Sequence, residues 1–82
     1  LMEEEKHQTI SLENNDQVHT VYIQPSIDFL KILSSSLEEI QVINFVGEKM
    51  SIRIKNKMID ISTLPKGVYS VKQGDFSKRI VK

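Results

Sequence analysis

The chain has 82 residues, 39% of them hydrophobic and 27% charged, with no net charge and no cysteine. That length holds one hydrophobic core rather than two, and the composition is that of a globular chain, not a disordered one. Without cysteine there are no disulfides, no thiolate zinc site and no cysteine nucleophile.

The first segment, Leu1-Met2-Glu3-Glu4-Glu5-Lys6, carries an acidic cluster where a signal peptide would have a basic stretch and then an apolar one. Residues 1–7 are expected to be a disordered tail, and residues 8–82 a single β-sandwich domain. From residue 8 onward the dominant period is two, the mark of half-buried strands. Ile10 and Leu12 alternate with polar residues in "QTISLEN". In "QVHTVYIQ" the alternating set is Val18, Thr20 and Tyr22, although Val21 and Ile23 make the second face apolar as well. Leu30 and Ile32 follow, then Ile40 and Val42, Ile52 and Ile54, Ile59 and Ile61, Tyr69 and Val71, and Ile80. These are β-branched or aromatic types suited to a pleated surface, with leucine beside them.

Turn chemistry separates the runs. Asn14-Asn15-Asp16, Gln24-Pro25-Ser26, Ser34-Ser35-Ser36, Gly47-Glu48 and Asn56-Lys57 are the earlier breaks. "LPKG" (Leu64–Gly67) has proline at the second position and glycine at the fourth, as a type I turn favours. Gly74-Asp75 is short enough to close a hairpin. The stretch "SIDFLKILSSSLEEI" also fits an amphipathic helix, but its serine triplet and flanking strands favour strand, turn, strand. The sum is an all-β fold: an antiparallel, immunoglobulin-like β-sandwich of about seven or eight short strands. Within it, Tyr69 and Val71 should face the core, and Ser70 and Lys72 should face water.

Charge is unevenly placed. Nine acids (Glu3, Glu4, Glu5, Glu13, Asp16, Asp28, Glu38, Glu39, Glu48) lie before residue 49, and nine bases (Lys49, Arg53, Lys55, Lys57, Lys66, Lys72, Lys78, Arg79, Lys82) lie from there on. Either an anionic partner meets the basic half, or acidic and basic strands neighbour one another in a sheet. Catalytic chemistry finds no support. The two histidines, His7 in the tail and His19 in a strand, have no nucleophile or acid in a triad pattern. Metal spacing is missing too: Asn14, Asn15 and Asp16 lack the remaining ligands of a calcium loop. Three scattered glycines do not make a phosphate cradle. The zero net charge and acidic first half speak against nucleic acid, and no apolar run approaches the roughly 20 residues of a membrane-spanning helix. The residues therefore imply no catalytic, cofactor-binding or metal-binding residue and no cofactor.

From about Val21 to Lys82 the chain resembles the type A C-terminal sorting domain of the type IX secretion system of Bacteroidetes. The family's "YPNP" entry has its counterpart in Tyr22-Ile23-Gln24-Pro25, and its "IYNLLGQ" in Val42-Ile43-Asn44-Phe45-Val46-Gly47-Glu48. "IDLSNLPKGIYIVKI" is matched by the run from Ile59 through Leu64-Pro65-Lys66-Gly67-Val68-Tyr69, and "TKKIIK" by Ser77-Lys78-Arg79-Ile80-Val81-Lys82. The chain departs from the pattern at Gln73, where the family usually has an apolar residue. The resemblance implies a non-catalytic module that directs an exported cargo across the outer membrane. Its implied partners are the type IX translocon and a sortase-like protease, and its route runs through the periplasm to the cell surface or medium. The residues carried over as sorting-signal candidates are Gly67, Tyr69, Lys78, Arg79, Ile80, Val81 and Lys82. A free-standing small exported β-sandwich with a binding or structural role is the alternative reading.

Overall fold

A computed structural model describes residues 8–14 and 19–82. It contains eight strands: β1 (Gln8–Glu13), β2 (Thr20–Tyr22), β3 (Ile27–Leu33), β4 (Gln41–Asn44), β5 (Ile54–Lys55), β6 (Met58–Asp60), β7 (Val68–Gln73) and β8 (Phe76–Val81). They form two four-stranded sheets, ordered β1-β3-β6-β5 and β2-β8-β7-β4. The all-β sandwich read from the period-two pattern is the observed fold. The expected tail at residues 1–7 lies outside the described residues, as does Val18.

The sheets are mixed rather than purely antiparallel. β1 pairs with β3, and β2 with β8, in parallel, and the other pairings are antiparallel. Parallel neighbours need a crossover instead of a hairpin. Alternation within one strand carries no information about the direction of its neighbour, so this feature is not legible locally.

Period two decides which side chains meet between the sheets. Leu12, Leu30, Ile32 and Ile59 from one sheet, and Val42, Val71 and Ile80 from the other, are at most 1% exposed. Ile61, Leu64, Tyr69 and Phe76 complete the filling with Ile23 and Ile40. Each such side chain contributes roughly 1.5–3 kcal/mol by leaving water. In β2 the sequence offered two faces, and the second one is inside: Ile23 is buried, Val21 is half-buried, and Tyr22 is 73% exposed. The serine triplet breaks β3 from β4 as expected, and no helix forms at residues 26–40.

Two hairpins show their turn chemistry directly. Asn56 and Lys57, between β5 and β6, take φ of 53° and 63°, the doubly positive pair that suits the strand twist in a two-residue loop. Gly74, between β7 and β8, takes φ of 58°. An added Cβ there would sit 2.8 Å from the Ser36 hydroxyl, so glycine is favoured by both the left-handed backbone and the space.

"LPKG" departs from the expected type I turn. The hydrogen-bonded turn comes three residues earlier, with the Leu64 amide donating to the Ile61 carbonyl at 3.1 Å, and the Gly67 amide instead donates to the Lys82 carbonyl at 3.0 Å. The proline directs the chain round, but the ladder with the last residue takes the amide that a local turn would have used.

Candidate functional site

The segment from Leu64 to Lys82 folds as one unit, the β7–β8 hairpin with the loop leading into it. Six registered pairs, from Val68↔Val81 to Gln73↔Phe76, join the two strands. β2 lies on the other side of β8, with Thr20, Val21 and Tyr22 opposite Arg79, Ile80 and Val81. β8 is therefore an interior strand. The edge of the sheet on that side is β2.

Alternation along β8 sorts the candidate residues. Phe76, Lys78 and Ile80 point inward and are 3%, 4% and 0% exposed, whereas Ser77 and Arg79 are exposed and Val81 is half-buried. Lys78 lies on the inner face because it shares the parity of Phe76 and Ile80. Tyr69 and Val71 are buried as expected, Lys72 is exposed, and Ser70 is half-buried rather than fully in water.

Lys82 belongs to the framework. Its amide donates to the Gly67 carbonyl at 2.9 Å and its carbonyl accepts from the Gly67 amide. Its ammonium donates to the carbonyls of Ile61 and Leu64 at 2.5 and 2.6 Å. Charge-assisted bonds of this kind are stronger than neutral ones. Gly67 shows no positive φ, and a Cβ there would meet the Tyr69 ring at an ordinary 3.7 Å; its part in the structure is the paired backbone. The Tyr69 hydroxyl donates to the Pro65 carbonyl at 2.6 Å. This is the geometry of the tyrosine corner of immunoglobulin-like sandwiches, in which a strand-borne hydroxyl ties back the chain just upstream. "LPKGVY" and "SKRIVK", on the two arms of the hairpin, are thus two halves of one hydrogen-bonded joint.

Residues 20–82, more than three quarters of the chain, match the sequence model of the secretion system C-terminal sorting domain. The chain belongs to that family. Comparison with curated proteins and with solved structures gives no match. Membership in this type IX sorting family implies export to the cell surface or the extracellular space. The match opens on Thr20, the first residue of β2, so the sorting domain spans β2 to β8 and β1 lies upstream of it. Among the described residues no helix is long and apolar enough to cross a membrane.

Sequence reasoning missed Gln73 as an interior residue. It is 3% exposed, its Nε2 donates to the Glu38 carbonyl at 2.9 Å, and its Oε1 is buried without a partner. The available signal was its parity with Tyr69 and Val71, which outranked its polarity. Gln73→Leu should therefore raise stability by about 1 kcal/mol, since an unsatisfied buried carbonyl costs about that much or more. In a chain of this size that is a rise in melting temperature of roughly 4–8 °C. A fall instead would show that the bond to Glu38 outweighs the stranded oxygen.

Proposed function

We propose that this chain is a non-catalytic sorting domain that directs an attached cargo across the outer membrane. In this reading the type IX translocon recognises it as a folded module, and a sortase-like protease removes it at the surface. The observation that carries this reading is the family match from Thr20 to Lys82. It is supported by the joint through which the two most recognisable segments of that match hold each other. The candidate residues divide into two roles. Gly67, Tyr69, Lys78, Ile80 and Lys82 hold the hairpin in shape, and Arg79 and Val81, on its outer face, meet the translocon.

The test is a reporter with a Sec signal, fused ahead of residues 1–82 and expressed in a Bacteroidetes host with an intact type IX system. The reporter should reach the surface or medium, and it should stay in the periplasm when the secretion system is deleted. A native fusion that remains periplasmic in the intact strain rejects the sorting reading.

A second reading, a free-standing exported sandwich, draws on β1. This strand lies outside the family match, yet it pairs with β3 along its length and buries Leu12 to 1% exposure. Intact mass after cell fractionation separates the two: a species joined to or cleaved from a cargo supports sorting, and a mature chain of only this sandwich supports the alternative.

A further inference from the structure

If the domain is read while folded, only its surface can be read, and the surface that the candidate residues share is the outer face of β2-β8-β7-β4. Register places an apolar row across it. Tyr22 lies opposite Val81 and Val81 opposite Val68. Asn44 lies opposite Tyr69, which brings the next residue, Phe45, beside Val68. Tyr22 is 73%, Phe45 81% and Val68 37% exposed. The neighbouring row holds Arg79, Ser70 and Ile43, and a shallow depression lined by Ile43, Phe45, Val68, Ser70, Lys72 and Arg79 joins the two.

The strand positions of this face carry charge of one sign, and the exposed Glu48 in the turn with Phe45 accepts from the Asn44 side-chain amide at 3.0 Å. At the outward positions of the four strands, Lys72 and Arg79 are the charged residues and there is no acid. Among the described residues, none of the strand pairings sets an acid directly opposite a base.

We propose that this face is the docking surface for an acidic-rimmed apolar patch on a protein of the export machinery; the proposal rests on the sorting reading above. Tyrosine, phenylalanine and arginine grouped around a small apolar centre are the residues that anchor protein interfaces. A second copy of this chain is a poor occupant, because it would set Arg79 and Lys72 against like charges. A lipid surface is a poorer one, since Val81 and Ile43 are half-buried in the pleat and only two cations, Lys72 and Arg79, lie at the outward positions of the strands. Four strands at about 4.8 Å spacing make a row only about 14 Å long. With the two rows about 7 Å apart along the strands, the patch is on the order of 100–300 Å², well short of the roughly 800 Å² per partner of a standard-size complex, so the contact is transient, as suits a signal that must be released.

The experiment uses the reporter fused to the full chain in three forms: native, with Arg79→Glu and Val68→Thr together, and with Arg79→Lys. A control carries Lys31→Glu and Leu33→Thr on the outer face of the other sheet. The double variant of the docking face should lower surface reporter at least fivefold. Arg79→Lys should keep most of it, the control should match native, and purified melting temperatures should agree within a few degrees. A photoreactive residue at Phe45 should cross-link to an outer-membrane component of the type IX system, and one at Leu33 should not. Native-level export by the docking-face variant overturns the proposal and leaves the sorting reading standing. A native fusion that is not exported removes both. Sedimentation showing a dimer that Arg79→Glu dissociates assigns the face to a second copy, and Arg79-dependent binding to phosphatidylglycerol vesicles assigns it to a membrane; either overturns the proposal.

Discussion

A chain cut after Phe76 should show no cooperative thermal unfolding by circular dichroism. The cut removes the interior strand of one sheet: β7 loses its partner on that side and β2 loses its only neighbour in the sheet. Ile80, fully buried, goes with it, and a deletion of that kind alone costs about 2–5 kcal/mol. The Lys82 bonds to Ile61 and Leu64 are lost as well. A domain of this size has a total stability of only about 4–12 kcal/mol, which the combined losses exceed. A sharp transition near the native temperature would mean that β8 is not interior. The functional consequence is that loss of export on truncation reports loss of the fold as much as loss of a signal. Arg79 is the better probe, because its side chain is exposed and substitution there leaves the ladder intact.

The same strand shows how far the sequence is legible. Alternation in "FSKRIV" marks Ile80 as interior, and the Gly74-Asp75 pair gives the hairpin. Neither reveals that β2, more than fifty residues earlier, would lie parallel to β8 on its other side. Strand neighbours distant in sequence are chosen by packing of the whole sandwich. Lys78 and Gln73 are hard to place for a related reason: each follows the parity of its strand rather than the preference of its side chain. In β2 both faces read as apolar, and the sheet had to choose between Tyr22 and the pair Val21 and Ile23. The motif order gave the family from the residues alone. The joint between Gly67 and Lys82, which makes that order physically meaningful, needed the fold.

Tyr69 separates two contributions at that joint. Tyr69→Ala should destabilise by about 3–5 kcal/mol, as large-to-small aromatic substitutions in cores do, because the ring is 4% exposed and packs in the common core. Tyr69→Phe keeps the ring and removes only the donor to the Pro65 carbonyl. Its cost should be about 1 kcal/mol, toward the low end because Pro65 is exposed and water can replace the hydroxyl. The Gly67–Lys82 backbone pair does not involve the hydroxyl, so Tyr69→Phe should leave the β7–β8 ladder and the outer face in place. It should therefore export a reporter at close to native levels, with a melting temperature a few degrees lower, while Tyr69→Ala should lower both sharply. If Tyr69→Phe instead abolished export while melting like the native domain, the hydroxyl would itself be read by the partner, and its assignment to the framework would be wrong.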